Sequence, residues 1–155
     1  MKRRIGVFAA LVLVLAAGSV LLAQNNPFVG TWKLNVAKSK YDPGPAPQSS
    51  TRTWDASGMV MVNGVNAAGK TTSYGYTIKD DGKEYPTMGA IPNTADKITS
   101  KKIDANSYEA KFTKAGKQVE VTTFMLSDGG KTLTIHAKGT PEIGGFDNLQ
   151  VWEKQ

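Results

Sequence analysis

The sequence predicts an all-β protein, folded as an antiparallel up-and-down β-barrel of eight to ten strands. Three observations predict this fold class. Short segments alternate apolar and polar side chains, as strands with one buried face do. Turn-forming clusters of Gly, Asn and Asp recur at intervals of about 8 to 12 residues, the spacing typical of antiparallel sandwiches and barrels. Beyond the N-terminal region, no segment repeats its apolar residues with the 3.6-residue period of a helix.

The N-terminal region has the three parts of a secretory signal peptide. Residues 1–4 are basic, residues 5–15 form an almost unbroken apolar run, and residues 16–23 are small and apolar. This order is typical of a cleaved export signal. It predicts that the folded part of the chain lies outside the cytoplasm, in the periplasm or the medium.

We therefore divide the chain into a signal peptide, residues 1–23, and a β-barrel domain, residues 24–155. Cleavage after Ser19 is an alternative to cleavage after Ala23. An uncleaved anchor is a further alternative, since residues 5–23 are long enough to span a bilayer. If the signal is cleaved, no stable membrane anchor is expected.

The composition narrows the possible functions. The 155 residues include no cysteine, which excludes disulfides, thiol nucleophiles, zinc–thiolate sites and a lipoprotein anchor. The formal charge of +6 falls to +3 without Lys2, Arg3 and Arg4, because 16 basic and 13 acidic residues remain. Arg52 is then the only arginine. Clustered basic residues with stacking aromatics are absent, so no nucleic-acid partner is expected.

The predicted first strand covers residues 28–34, where Trp32 shares one face with Phe28 and Leu34. Gly30 lets a large ring or a neighbouring backbone approach closely. The indole N–H of Trp32 needs a hydrogen-bond partner if the ring is buried. We predict that Trp32 fills one end of the barrel.

A proline-rich segment follows the first strand. Pro43, Pro45 and Pro47 stand at every second position, which forbids a helix and favours extended backbone. The segment is expected either to lie over one end of the barrel or to be a disordered connection.

Six clusters then mark the predicted turns. They lie at residues 55–58, 67–69, 80–82, 104–106, 114–116 and 128–130. Their Gly, Asn and Asp residues suit the positive φ values of hairpin turns. Alternating strands are predicted between these turns.

The irregular segment 85–96 breaks this pattern, because Pro86 and Pro92 bracket the apolar Met88 and Ile91. It is expected to be a lid over the barrel mouth or a buried crossover. The last strand, residues 148–154, is expected to pair with the first, since closure removes exposed strand edges.

The sequence offers little catalytic chemistry. His136 is the only histidine, and it falls on the polar side of its strand with Thr134 and Lys138. No spacing of His, Cys or carboxylate residues suggests a metal site. No nucleophile–base pair is visible. We therefore expect no enzyme activity, no catalytic residues, no metal and no cofactor, although an enzyme that uses His136 at the barrel mouth remains an alternative.

The predicted interior is apolar with polar groups. An eight-stranded barrel can be packed solid or can hold one small ligand, and the sequence leaves both possibilities open. The candidate ligand-binding residues are those large side chains that we expect to face inwards: Trp32, Met61, Tyr74, Tyr76, Tyr108 and Phe112.

The opening strand resembles the G-x-W strand of lipocalins and fatty-acid-binding proteins, the calycin barrels, through Gly30 and Trp32. A bacterial family of secreted lipocalin-like proteins of poorly defined function is similar over most of the mature chain. The similar pieces are residues 30–35, 37–40, 81–86, 102–106, 127–134 and 151–155.

The resemblance implies a closed or nearly closed barrel that carries a small apolar molecule. It also implies a cation–π contact between Lys154 and Trp32. The chain departs from fatty-acid-binding proteins, whose helix pair would fall in the proline-rich segment. Their carboxylate-binding arginines have no counterpart beyond Arg52.

The leading hypothesis is an exported lipocalin-like protein that binds or carries a small hydrophobic ligand in the barrel, as a monomer, beneath a gate formed by residues 85–96. The alternative is a packed barrel that acts as a cell-envelope module for protein or glycan interaction.

Overall fold

The computed structural model describes residues 26–155, so the predicted signal peptide lies outside the described residues. The chain is all-β and antiparallel. Its strands are β1 Gly30–Leu34, β2 Ser49–Trp54, β3 Met59–Val65, β4 Thr71–Thr77, β5 Tyr85–Pro86, β6 Met88–Gly89, β7 Lys97–Asp104, β8 Ser107–Lys114, β9 Lys117–Ser127, β10 Thr132–Gly139 and β11 Phe146–Lys154. Short 3₁₀ helices cover Val36–Lys38, Asp128–Gly130 and Pro141–Ile143. No helix in residues 26–155 is long and apolar enough to cross a membrane.

The strands form a nearly closed, barrel-like sheet. Their order is β5-β7-β8-β9-β10-β11-β1-β2-β3-β4-β6. The last strand pairs with the first, with Leu34 opposite Trp152 and Trp32 opposite Lys154. This pairing was predicted. The sheet has eleven strands rather than eight to ten, because the irregular segment contributes two strands of two residues each, β5 and β6.

These two short strands extend the two edges of the sheet, beside β7 and β4, and leave the barrel nearly closed. Tyr85 of β5 pairs with Ile98 of β7, and Gly89 of β6 pairs with Tyr74 of β4. Next to them, the Ser100 hydroxyl accepts a hydrogen bond from the Lys79 N–H and donates one to the Lys79 carbonyl, both at 2.8 Å. A side chain therefore replaces the missing backbone ladder at this point.

Replacing Ser100 with alanine should weaken the junction between β4 and β7. Ser100 is buried, so its loss leaves two backbone groups of Lys79 without their partner, at a cost of about 1–3 kcal/mol. We expect the Lys79 amide to exchange its hydrogen faster, while the amide of Met61 in the continuous ladder β2–β3–β4 keeps its protection. Unchanged hydrogen exchange at Lys79 would show that the two hydrogen bonds of Ser100 do not hold this junction together.

One end of the barrel is filled by an aromatic plug, which we define as Phe28, Trp32, Trp54, Tyr108 and Phe124. All five side chains are buried. The ring centroids of Phe28 and Trp54 lie 4.8 Å apart, and the Trp54 and Phe124 rings meet edge to face at 5.8 Å. Such contacts add to the stabilisation from apolar burial.

Trp32 connects the plug to the segment before β1 and to the end of β11. Its Nε1 donates to the carbonyl of Phe28 at 2.9 Å. The ammonium of Lys154 lies 5.1 Å from its ring centroid and donates to the Pro27 carbonyl at 3.0 Å. The expected Lys154–Trp32 contact is therefore confirmed, as is the position of Trp32 at one end of the barrel.

The proline-rich segment lies across the opposite end. We call residues 41–47 the proline strap. Before it, Lys40 exchanges two backbone hydrogen bonds with Leu149, at 2.7 and 2.8 Å. After it, the Gln48 N–H donates to Val65 at 2.9 Å. The strap is therefore attached to β11 on one side and to β3 on the other.

Candidate ligand-binding cavity

A cavity of about 520 Å³ lies between the barrel interior and the proline strap. This volume falls in the range of about 300–1,000 Å³ that is typical of small-molecule sites. The strap contributes Tyr41, Pro43, Pro45 and Pro47 to the wall. The aromatic plug closes the far end, so the cavity occupies only the strap half of the barrel.

The mouth of the cavity has polar as well as apolar groups. Tyr41 is the first residue of the strap, and burial raises the pKa of its phenol to about 12 although the charge of Arg52 acts in the opposite direction. The phenol therefore stays protonated at neutral pH and keeps a donor at the mouth. Pro92 and Asn93, from the segment between β6 and β7, form another part of the wall.

Aromatic and aliphatic side chains form the deeper wall. Tyr74 and Tyr76 come from β4, Phe112 from β8, Ile135 from β10 and Trp152 from β11. The rings of Tyr76 and Phe112 meet edge to face with centroids 5.3 Å apart. Each residue projects inwards because it shares the buried face of its strand.

Arg52 lies at the bottom of the cavity and is only 3% exposed. Its Cζ sits 4.7 Å from the ring centroid of Trp152, and its Nη1 donates to the Tyr76 hydroxyl. Its Nε is buried without a hydrogen-bond partner in the described part of the chain. A buried guanidinium is normally paired with an anion, but within residues 26–155 no ion pair to Arg52 is recorded.

Glu120 is the second buried charged residue of the cavity, at 7% exposure. One carboxyl oxygen accepts from the Asn93 amide at 2.7 Å, and the other accepts from the Thr122 hydroxyl. Burial raises the pKa of Glu120, whereas Thr122, Asn93 and Arg52 act to lower it. Glu120 thus holds the 91–95 turn against the barrel, where Ile91, Asn93 and Ala95 are buried.

The raised pKa of Glu120 gives a testable pH dependence. The folded protein holds this proton to a higher pH than the unfolded chain, so stability falls as pH rises from the ordinary value of 4.5 to the raised one. Glu120→Gln should remove this fall. We expect thermal melts from pH 4 to 8 to show the stability difference, wild type minus variant, decreasing as pH rises. Parallel curves would contradict the prediction. Other carboxylates are common to both proteins and cancel in the difference.

Only some of the predicted site residues meet in the cavity. Tyr74, Tyr76 and Phe112 line it, and their role in ligand binding stays a prediction. Trp32 and Tyr108 belong to the aromatic plug at the other end, so for them the prediction needs correction. Both do face inwards, but strand alternation gives the side of the sheet and not the height along the barrel axis.

Met61 also lies outside the cavity. It alternates with the buried Val60 and Val62 and therefore points to the outer face. There it packs against Gly75, its partner across β3 and β4. The apolar run at residues 59–62 concealed this alternation in the sequence.

Arg52 and Glu120 were not predicted as interior residues, although the strand alternation in the sequence places both on buried faces. Arg52 lies two positions before the buried Trp54 on β2 and therefore on the same face of the strand. Glu120 shares parity with Thr122 and Phe124, which are also buried. Both residues were left out of the predicted inward-facing residues because their side chains are charged.

His136 lies on the outer face, away from the cavity lining. Its Nε2 is 2.5 Å from Asp147 Oδ1, and Lys138 Nζ is 3.4 Å from the other oxygen. The hydrogen bond with His136 lowers the pKa of Asp147. The described residues hold no group of three or more His, Cys, Asp or Glu that could bind a metal.

No model of a known protein family matches this chain, and no curated protein is significantly similar to it in sequence. The class of protein is therefore defined by the fold and the cavity alone, as an antiparallel, nearly closed β-barrel with a pocket at one end.

Proposed function

We propose that this chain is an exported, lipocalin-like protein without enzyme activity that binds or carries a small hydrophobic molecule. The cavity of about 520 Å³ supports this proposal above all. Its wall combines apolar side chains, such as Tyr74, Phe112 and Ile135, with polar ones from several strands. The first kind would contact a hydrophobic body, and the second would fix its orientation. The packed-barrel alternative would need a filled interior at both ends.

The ligand enters, in this proposal, where the wall is not part of the continuous sheet. Two segments fit this role: the proline strap and the turn at residues 91–95. Asn93 links the turn to Glu120 by a hydrogen bond of 2.7 Å. Both segments can move without breaking a long strand pairing, so they form the proposed gate.

The direct test is native mass spectrometry and solvent extraction of the protein purified from the envelope of its own host. We expect a co-purifying apolar molecule. A clean apo mass, together with unchanged tryptophan fluorescence in the presence of a panel of apolar probes, would contradict the proposal and favour the interaction module.

A matched pair of variants locates the binding site. Ala137 lines the cavity, and its neighbour His136 points outwards. Ala137→Phe should fill part of the cavity and reduce the bound ligand at least about tenfold, at a cost of about 1–3 kcal/mol in stability. His136→Phe should leave ligand occupancy unchanged. Equal occupancy in both variants would place the ligand outside the barrel.

A further inference from the structure

We propose that the ligand is an amphiphilic organic monoanion whose charged group binds to the Arg52 guanidinium and the Tyr76 hydroxyl at the bottom of the cavity. This inference rests on the proposed function, because it names the chemical class of the ligand in the same cavity. It predicts selectivity for headgroup charge, which simple burial of an apolar molecule does not.

The first argument is that Arg52 has unused hydrogen-bonding capacity and forms no direct ion pair within residues 26–155. A guanidinium carries five N–H donors, and the side-chain hydrogen bond recorded for Arg52 within residues 26–155 is the one to Tyr76. Its Nε has no partner there although the residue is 97% buried. Burial of an unpaired charge is costly, so an anionic ligand group would relieve this cost.

The second argument is that the nearest buried acid does not serve as the counter-ion. Both oxygens of Glu120 are engaged, one by Asn93 at 2.7 Å and one by Thr122. No ion pair joins Glu120 to Arg52 in the described part of the chain. The guanidinium instead stacks near Trp152, with lesser contacts to Tyr76 and Phe124 at 5.7 and 5.9 Å.

The third argument concerns the number of charges on the ligand. Arg52 is the one buried cationic residue among residues 26–155, and Glu120 lies in the same cavity wall. A carboxylate or sulfonate brings one negative charge, which Arg52 balances. A phosphate monoester carries about −1.5 to −2 at pH 7, and its second charge would meet no cation there. We therefore infer a monoanion.

The rest of the cavity has an apolar side that fits a hydrocarbon body. Tyr74, Phe112 and Ile135 belong to this apolar side, Thr72, Thr122 and Gln150 add polar groups to the wall, and the prolines of the strap cover the mouth. An acid group at the bottom and a hydrocarbon body towards the strap would satisfy both parts of the wall.

The experiment compares four probes with one chain length: decanoate, decanesulfonate, decyl phosphate and decanol. The full chain, expressed for export and stripped of bound lipid, is titrated with each by calorimetry. We expect decanoate and decanesulfonate to bind at least about tenfold more tightly than decanol, since hydrogen bonds between charged groups are stronger than those of a neutral hydroxyl. Decyl phosphate should bind more weakly than the two monoanions.

The variants assign the effect to Arg52. Arg52→Met should weaken decanoate binding about tenfold or more and change decanol binding less than about threefold. Replacement of a buried ionic group by an apolar side chain is often tolerated, and Tyr76→Phe provides a second, milder variant. Lys97→Met is the control, because it removes one positive charge from an exposed residue of the outer surface and should leave all four affinities unchanged.

The outcomes separate the two proposals. Equal affinities for decanol and decanoate would overturn the anion site but would still agree with the proposed binding of an apolar ligand. Tightest binding of decyl phosphate would overturn the monoanion. A loss of decanoate binding in Lys97→Met equal to that in Arg52→Met would assign the effect to surface charge. If none of the four probes binds, the proposed function and the anion site fall together.

Discussion

Replacement of Trp32 by alanine is expected to lower the free energy of unfolding by about 3–5 kcal/mol. The Trp32 side chain is fully buried, and its ring packs at the end of the barrel beneath the Lys154 ammonium. The change removes this burial and also the hydrogen bond from Nε1 to Phe28. Urea denaturation followed by circular dichroism measures the effect. A loss below about 1 kcal/mol would contradict the role of Trp32 in the plug.

Two phenylalanine variants separate ring packing from hydrogen bonding. Trp32→Phe removes an indole N–H that has a partner and leaves the Phe28 carbonyl without it. Trp54→Phe removes an indole N–H that is buried without a partner among the described residues. An unsatisfied buried polar group is itself destabilising. Trp54→Phe should therefore lower the free energy of unfolding by less than Trp32→Phe does. Equal losses would show that the removed volume alone decides, and the reverse order would contradict the contribution of the Trp32 hydrogen bond.

Gly58→Ala is expected to lower the free energy of unfolding by more than about 2 kcal/mol. Gly58 turns the chain between β2 and β3 with a φ of +89°, a conformation that L side chains rarely adopt. A Cβ atom there would lie 2.3 Å from the carbonyl oxygen of Ile78. The Gly58 carbonyl accepts from the Ile78 N–H at 2.8 Å, so the two backbones cannot separate without losing this bond.

Gly82→Ala is the matched control, with a similar φ of +67° and no atom within 4 Å of the added Cβ. It should cost only the backbone strain, about 1–2 kcal/mol. Thermal or urea unfolding of both variants gives the difference that is due to the clash. Equal losses would show that the turn at Gly58 adjusts to a side chain.

The two ends of the barrel have different roles in this account. The aromatic plug, with Trp32 and Trp54, provides burial and stability. The strap end keeps a cavity and a buried charge on Arg52, which are costly unless a ligand uses them. The two halves meet at Arg52, which is the cross-strand partner of Trp32 and has its Cζ 5.9 Å from the Phe124 ring centroid. The stability effects of the Trp32 and Arg52 variants are therefore expected to be non-additive.

The all-β, antiparallel architecture follows from local features of the sequence. Alternation in residues 28–34 and in the later strands identified β1 and its buried face, and the six Gly-, Asn- and Asp-rich clusters marked the turns between the long strands. The proline spacing excluded a helix at residues 43–47 and predicted extended backbone, but it left open whether this segment covers one end of the barrel or is a disordered connection. These features are local, because strand period, turn chemistry and proline geometry each depend on a few neighbouring residues.

The number of strands and the content of the barrel depend on contacts between segments that are far apart in sequence. β5 and β6 have two residues each and are strands only through their pairing with β7 and β4. Likewise, alternation places Trp32 and Tyr76 on inner faces but does not show that one fills the plug and the other the cavity. The cavity, and the burial of Arg52 and Glu120 within it, depend on which side chains meet across the barrel from strands far apart in sequence. Local periodicity carries no information on that volume.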